Sequence, residues 1–389
     1  MRILYLSHEN LPDWRIEKSA LTALNHGHQV AFGGTYSPNY NRRVFSDLYV
    51  IDWHFATRFG VPFFWNSVKK QVEQVIREVK PDIVHAHNIF SAKMVSQLGL
   101  PFIYDDHEYW SYYAKALAEY TFPYNDSVEL ANKNISRVGK LVRKAAWNLV
   151  LRHRAIKLWT KWEKDLVCSV PTIVTTDKVA EEFKVVDNNN NNNSNRVFVV
   201  PNFPMKWEVK DLKSPIFHDT LSSVYAGKDK LSDKTRPHRN MDGLTDIFKD
   251  NNVGCLTMIG VEGESSANTK FLGFLSREAM YDEMYKHSIG LIPFKPHWLH
   301  PYRDSNKAYE YAHAGLFVMT VSSLESVVKH FKGNCGTFED YSDMISQLRY
   351  FNDNLEELYN KRLNIFELAR NELVWEKYEK NILCAYQYA

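Results

Sequence analysis

Cysteine is scarce: the 389 residues hold four, Cys168, Cys255, Cys335 and Cys384. They are far apart and lack C-x-x-C spacing, as expected of reduced, mostly buried thiols in a cytoplasmic protein. No apolar run approaches the length that spans a bilayer. The opening Met-Arg-Ile-Leu-Tyr-Leu-Ser is too short and too soon interrupted for a secretory leader. The sequons at Asn125 and Asn134 are therefore expected to stay unmodified. Neither sign of charge dominates, with 48 Lys and Arg against 46 Asp and Glu and a formal net charge of +2. No global field calls for nucleic acid, so any anionic partner must be met by a local patch. The glycine pattern G-x-G-x-x-G is absent, and with it the indication of a dinucleotide cofactor.

The length suffices for two domains, and 44% hydrophobic with 24% charged residues marks a globular chain. Arg2–Ser7 reads as a buried strand. Arg15–Asn25 reads as a helix with Ile16, Ala20 and Leu24 one turn apart, ended by Gly27, and Gln29–Phe32 as the next strand. This is the βαβ opening of a doubly wound sheet. Val68, Val72, Val75, Ile76 and Val79 make one helix face, followed by a strand at Asp82–Ala86. His85 and His87 straddle the carboxyl end of that strand, where open α/β sheets bind ligands. Pro101–Tyr104 is a further strand that runs into Asp105-Asp106-His107-Glu108. Four ionisable groups in a row are costly to bury, which predicts a cleft or a metal site. Against a metal, adjacent residues of an extended chain point to alternate sides. Arg15 is either a phosphate-binding residue in that cleft or the first exposed residue of its helix.

From Arg137 to Lys164 the chain is basic and aromatic, with Glu163 as its one acid. Arg143, Lys144, Arg152, Arg154, Lys157 and Lys161 alternate with Trp147, Trp159, Trp162 and several leucines. This predicts a helix on an anionic membrane surface; the alternative is a surface helix whose tryptophans pack on their own domain. The Asn-rich stretch 187–195 is too polar to build a core and reads as a disordered loop. Arg196–Val200 closes the first half as a strand.

In the second half, Ser223–Ala226 opens a second sheet and Gly227 follows, with Lys228, Lys230, Arg236 and Arg239 behind it. Strands are expected at Gly254–Ile259, Phe271–Leu275 and Ile289–Pro293. A last helix is expected over Asn354–Tyr388. The most informative stretch is Ser305–Val321. Its first half has helical spacing, Gly315 stands where a helix stops with positive φ, and Leu316–Val321 is apolar like a buried parallel strand. A helix that opens with Asn306 and Lys307 can receive an anion at its N-terminus. Glu310, one turn on, can accept two hydroxyl hydrogen bonds, as a ribose offers.

Ser305-Asn306-Lys307, Glu310-Tyr311 and Ala314-Gly315 resemble, in order and spacing, the donor-binding segment of family-4 glycosyltransferases of the GT-B fold. Many members carry a second Glu eight residues earlier, where this chain has Tyr302. Asp105-Asp106-His107-Glu108 resembles the Asp-x-His-Glu element of a branch of the same family. The resemblance implies two Rossmann-like doubly wound α/β domains facing a central cleft, at 1–203 and 204–370, with a helix over 371–389 crossing back. It implies transfer of a hexose-like sugar from a nucleotide sugar to an acceptor hydroxyl, with retention. Glu310 would hold the ribose, His107 would lie beside the sugar and β-phosphate, and Lys228 and Arg239 would reach the pyrophosphate. Phe274 would lie near the base, and His297, Trp298 and His300 near the sugar. Arg15, His87, Asp106 and Glu108 are the candidate acceptor or cleft residues. Lys and Arg supply the charge that stabilises departing pyrophosphate, so no metal or other cofactor is expected. The expected partners are the nucleotide sugar and a glycan or lipid-linked acceptor, with peripheral attachment to the inner face of a membrane through Arg137–Lys164. A sugar-nucleotide epimerase or a non-catalytic binding protein of the same fold is the alternative.

Overall fold

Short β-branched runs separated by amphipathic helices can bury both faces of a strand only in a parallel sheet flanked by helices. The computed structural model describes residues 1–40, 44–119, 146, 150–188, 196–232 and 236–389. They form two such units, Met1–Val200 with Glu379–Ala389, and Pro201–Tyr378.

The first unit carries β1 (Arg2–Leu11), β2 (Gln29–Tyr36), β3 (Asp47–Val50), β4 (Ile83–His87), β5 (Phe102–Asp106), β6 (Thr172–Val174) and β7 (Val197–Val199). Their order is β3-β2-β1-β4-β5-β6-β7, with every ladder parallel. The strand order reverses between β1 and β4. The helix Trp14–Asn25 starts on Asp13, whose carboxylate accepts the N–H groups of Arg15 and Ile16, a cap that contributes about 1 kcal/mol. Ile16, Ala20 and Ala23 are buried; Leu24, expected on that face, is exposed. In the helix Pro62–Val79 the buried stripe is Val68, Val72, Val75 and Val79, each stabilising the fold by roughly 1.5–3 kcal/mol.

The second unit carries β8 (Ser222–Ala226), β9 (Cys255–Ile259), β10 (Thr269–Gly273), β11 (Ile289–Ile292), β12 (Phe317–Val321) and β13 (Gly336–Phe338). Their order is β10-β9-β8-β11-β12-β13, again all parallel, with the reversal between β8 and β11. The helix Asn306–His313 leads into Gly315 at φ +73°, where a Cβ would stand 2.9 Å from Pro215. Only glycine fits that turn, and the chain enters β12 from it. The buried Arg362 donates to the Gly315 carbonyl at 2.8 Å and to the Ile216 carbonyl at 2.8 Å.

The single helix expected over Asn354–Tyr388 is three pieces: Leu355–Glu372, a 3-10 turn at Trp375–Lys377, and Glu379–Gln387. The break comes where Trp375 is fully buried and its N–H donates to the Pro204 carbonyl at 2.9 Å. That tertiary contact outweighs local helix propensity. The last piece belongs to the first unit, where Tyr386 is buried against Tyr5.

Two buried histidines tie the stability of the second unit to pH. His313 donates from Nε2 to the Leu373 carbonyl at 3.0 Å. His300 lies between the Ser323 hydroxyl and the His238 carbonyl, both at 2.7 Å. Burial pushes both imidazoles down to about 4. In the unfolded chain they titrate near 6.5, so on acidification that state binds protons first. Their contribution is complete above pH ~6.5 and is lost as the pH falls towards ~4, at about 3 kcal/mol for each. Urea midpoints across that window should fall, and His313→Gln should flatten the slope; an unchanged slope would rule out His313 as a contributor.

Candidate functional site

In an open parallel sheet the carboxyl ends of the strands on either side of the reversal leave a crevice. In the second unit these are the ends of β8 and β11. The turn after β8 is Gly227-Lys228-Asp229. A Cβ on Gly227 would stand 2.3 Å from Lys307 Cε, so the lack of a side chain there lets the lysine lie across the strand end. Asp229 is 2% exposed. Lys307 Nζ lies 3.1 Å from its carboxylate, Arg239 at 3.0 Å and Arg236 at 3.3 Å, and the Tyr225 hydroxyl also donates to it. Burial would raise this carboxyl, but Lys307 and Arg239 hold it well below the usual range. Burial in turn lowers the Lys307 ammonium, against the pull of Asp229. Three cations thus converge on one carboxylate beside the N-terminus of the helix Asn306–His313. Asn306 is exposed there, and Ser305 makes no side-chain cap.

Lys228 and Phe274 also meet. The Lys228 ammonium is 4.8 Å from the Phe274 ring centroid, and the ring is 74% exposed at the end of β10. Glu310 faces Arg277 at 3.1 Å, and Arg277 reaches back to Glu208, also at 3.1 Å. Glu310 therefore presents a carboxylate oriented by a guanidinium.

Sequence reasoning missed Asp229, Arg277 and Glu208. Arg277 had one signal: it follows Ser276, which caps the helix Arg277–Met284, so it stands at the carboxyl end of β10. Nothing local in Gly227-Lys228-Asp229 marks the carboxylate, whose cationic partners Arg239 and Lys307 lie 10 and 78 residues away. Of the three groups expected near the sugar, Trp298 is exposed and His297 half-buried. His300 is not available to a sugar, because both its ring nitrogens are engaged in the core.

In the first unit, the expectation that all of Asp105-Asp106-His107-Glu108 lines a cleft needs correction. Asp105 and Asp106 are the last residues of β5 and are 1% exposed. Arg15 makes the burial of Asp105 tolerable, whereas Asp106 has only Oδ1 hydrogen-bonded and its Oδ2 is buried without a partner. Arg15 donates to Asp105 from Nε at 3.0 Å and Nη2 at 2.8 Å. Asp106 accepts the N–H groups of Glu108 at 3.3 Å and Tyr109 at 3.2 Å, which builds the turn into the helix Trp110–Glu119. Burial pushes the Asp106 carboxyl up to about 7. Arg15 is likewise buried rather than exposed, and its third arm donates to the Val200 carbonyl at 2.8 Å. Its guanidinium meets a carboxylate where a phosphate was expected. His87 is fully buried, and its Nδ1 is 3.0 Å from His107 Nε2. The His107 side chain is 12% exposed, and Glu108 is half-buried.

The basic run is described only in part, since residues 137–145 and 147–149 lie outside the described residues, as do 189–195 of the polar tract. In the helix Arg152–Val167, Trp159 and Trp162 are buried in the first unit. Trp159 donates to the Arg58 carbonyl at 2.7 Å and packs edge-on to Phe90, and Trp162 packs on Trp65. These tryptophans pack on their own domain and cannot insert in a bilayer. The opposite face exposes Arg154, Lys157, Lys161 and Lys164.

No family model and no curated relative matches the sequence. Solved structures do. The sucrose-phosphate synthase of Thermosynechococcus elongatus matches with a TM-score of 0.69 at 10% identity, over 100% of this chain and 98% of that one. Anabaena HepE, solved in complex with UDP-glucose, matches with a TM-score of 0.64 at 11% identity over the full length of both chains. WaaG, a glycosyltransferase involved in lipopolysaccharide biosynthesis, matches with a TM-score of 0.59 at 14% identity, over 100% and 99%. Two Rossmann-like parallel-sheet units with these neighbours define the GT-B fold.

Proposed function

We propose that this protein is a retaining glycosyltransferase that moves a hexose-like sugar from a nucleoside diphosphate sugar to an acceptor hydroxyl. One observation carries the reading: Arg236, Arg239 and Lys307 gather on Asp229 at the reversal point of the second sheet, against a helix N-terminus. A diphosphate entering there meets donors already oriented, and it draws them from Asp229 as negative charge develops on the departing group. Glu310, held by Arg277, accepts the ribose hydroxyls. The exposed face of Phe274 offers a platform for the base. The structural neighbour HepE, solved with UDP-glucose, makes uridine nucleotides the first donors to test. Release of UDP from UDP-glucose, followed with and without an acceptor, tests the reading. A panel of UDP-, GDP- and ADP-sugars should raise the melting temperature for one base class. No shift with any of them would overturn the proposal.

Glu310→Gln keeps one acceptor oxygen and loses the charge. UDP should bind about tenfold more weakly, the low end of 1.5–3 kcal/mol for a hydrogen bond to a charged group. Calorimetry with the melting temperature unchanged checks this, and unaltered affinity would take Glu310 out of the ribose site.

We further infer a glycan or lipid-linked acceptor held at an anionic surface, supported by the stripe of Lys157, Lys161 and Lys164. No helix among the described residues is long and apolar enough to cross a membrane. With Trp159 and Trp162 turned inward, attachment through this stripe is electrostatic. Binding to vesicles rich in phosphatidylserine should vanish when salt is raised to the point where the Debye length is ~3 Å. Reversing the three lysines to Glu should abolish it at low salt; vesicle binding that survives both changes would refute this attachment.

A further inference from the structure

Glu310 has two cations for neighbours in the second unit. Lys307 precedes it by one turn of the helix Asn306–His313, and Arg277 Nη1 lies 3.1 Å from Glu310 Oε1. Alone with either of them, Glu310 would be half of a neutral pair. Each cation is also held by a second carboxylate. Asp229 takes the Lys307 ammonium at 3.1 Å, and Glu208 takes Arg277 Nη2 at 3.1 Å. The Asp229 and Glu208 side chains are 1% and 2% exposed, against 19% for Glu310. The acid that reaches solvent is thus the one whose cations are drawn away by buried acids.

Glu208 is fixed independently of Arg277. Its Oε2 accepts the Met205 N–H at 2.7 Å, at the start of the short helix Lys206–Val209. Oε1 faces Arg277, so the carboxylate is anchored at both oxygens. A buried carboxylate stays charged only against a partner, and the guanidinium supplies one. Arg277 is the first residue of the helix Arg277–Met284, where the positive end of the helix dipole disfavours a cation. Two acids offset that cost. Tyr281, one turn on, adds a hydroxyl 3.3 Å from Nη2. The planar fork serves Glu208 and Glu310 from separate nitrogens, which the single ammonium of a lysine does not match. Two carboxylates against one guanidinium leave one negative charge, and its exposed end is Glu310.

We propose that Glu208 is a positioning residue for nucleotide recognition: by sharing Arg277 it leaves Glu310 the net charge to accept the hydroxyl pair of a ribose. This role rests on Glu310 as the ribose contact. Buried as it is, Glu208 acts only through Arg277. Without its charge the guanidinium belongs wholly to Glu310, and the hydroxyls meet an acid already neutralised. Charge-assisted hydrogen bonds then become ordinary ones, about half as strong. The cations gathered on Asp229 are a separate set, so the phosphate end of the ligand is unaffected.

The test is calorimetry on the full chain with UDP, GDP and ADP, each against its 2′-deoxy counterpart. For the base that binds, the wild type should prefer the ribonucleotide about tenfold, as one hydrogen bond to a charged group provides. Glu208→Gln keeps the shape and an acceptor for Met205 but not the charge, and the preference should fall to about threefold. Affinity for inorganic pyrophosphate should stay unchanged. Glu208→Gln combined with Arg277→Gln removes both charges and leaves Glu310 uncompensated, so the preference should return to about tenfold. A merely structural Glu208 gives the reverse: the preference persists in the single variant and is lost with Arg277 in the double one. Either of those results overturns the proposal. Should Glu208→Gln fail to fold, the double variant, which buries no unpaired charge, decides alone. Absence of binding or of any preference in the wild type overturns the ribose contact and this role together, which distinguishes the two failures.

Discussion

Lys307→Met is expected to weaken binding of UDP roughly a hundredfold while leaving the affinity for uridine unchanged. The substitution keeps the length of the stem, which crosses the strand end at Gly227 and passes near the rings of Tyr225 and Phe294. It removes only the ammonium. That group is one of three cations on Asp229 and the one on the first turn of the helix Asn306–His313. A hydrogen bond to a charged partner contributes about 1.5–3 kcal/mol, and the helix terminus adds its own preference for an anion. The upper part of that range corresponds to the expected factor. Comparing UDP with uridine by calorimetry isolates the phosphate contribution, since Glu310 and Phe274 still meet the nucleoside. Equal losses for both ligands would mean that the loop has collapsed. No loss for either would place the diphosphate elsewhere.

Elements whose physics is local were legible in the chain. Leu316–Val321 was recognisable as a buried strand because both faces are apolar, and it forms β12 within one residue of those bounds. Gly315 was recognisable as a helix stop, and its φ is positive. β3 and β13 were not, because they are short and only part-buried. The helix Asn88–Val95 also went unseen: it begins immediately after β4, at an Asn with φ +66°, and no loop separates them. Buried charge was the hardest to read. Arg15 and Asp105 are 90 residues apart in sequence, and nothing near either says that one neutralises the other. The same holds for Glu310 and Arg277. A chain shows which groups are ionisable; only the sheet order shows which become partners.

The two strand ends that reverse the sheet order in the second unit bring together Asp229, Lys307 and Arg239. The comparable place in the first unit, after β1 and β4, has His87 at the end of β4. His107 lies one residue past the end of β5, next in order. Both reversal points thus carry the ionisable groups, while the opposite ends of the strands do not supply those the proposal uses. This is the placement expected when a fold positions chemistry at the carboxyl ends of its strands.

His107→Ala is expected to lower turnover by a factor of about 10²–10³ with the affinity for UDP unchanged, in the range for loss of one positioned acid, base or hydrogen-bond group. Its Nε2 touches His87 and faces Asp105 at 3.8 Å, so the ring is oriented by its neighbours and reaches solvent at its edge. The family resemblance implies that His107 lies beside the sugar and β-phosphate, and a contact that strengthens as charge develops appears in kcat more than in binding. The side chain is 12% exposed, so its truncation also costs packing and lowers the melting temperature; the distinguishing readout is turnover per folded protein. A purely structural histidine loses activity only in proportion to folded protein. His107→Gln separates the two further, since it keeps a hydrogen-bond donor of similar reach and should recover part of the rate. Near-normal turnover in His107→Ala would move the chemistry away from the first unit's strand ends, and His297, half-buried in the loop before the helix Asn306–His313, would be the next residue to test.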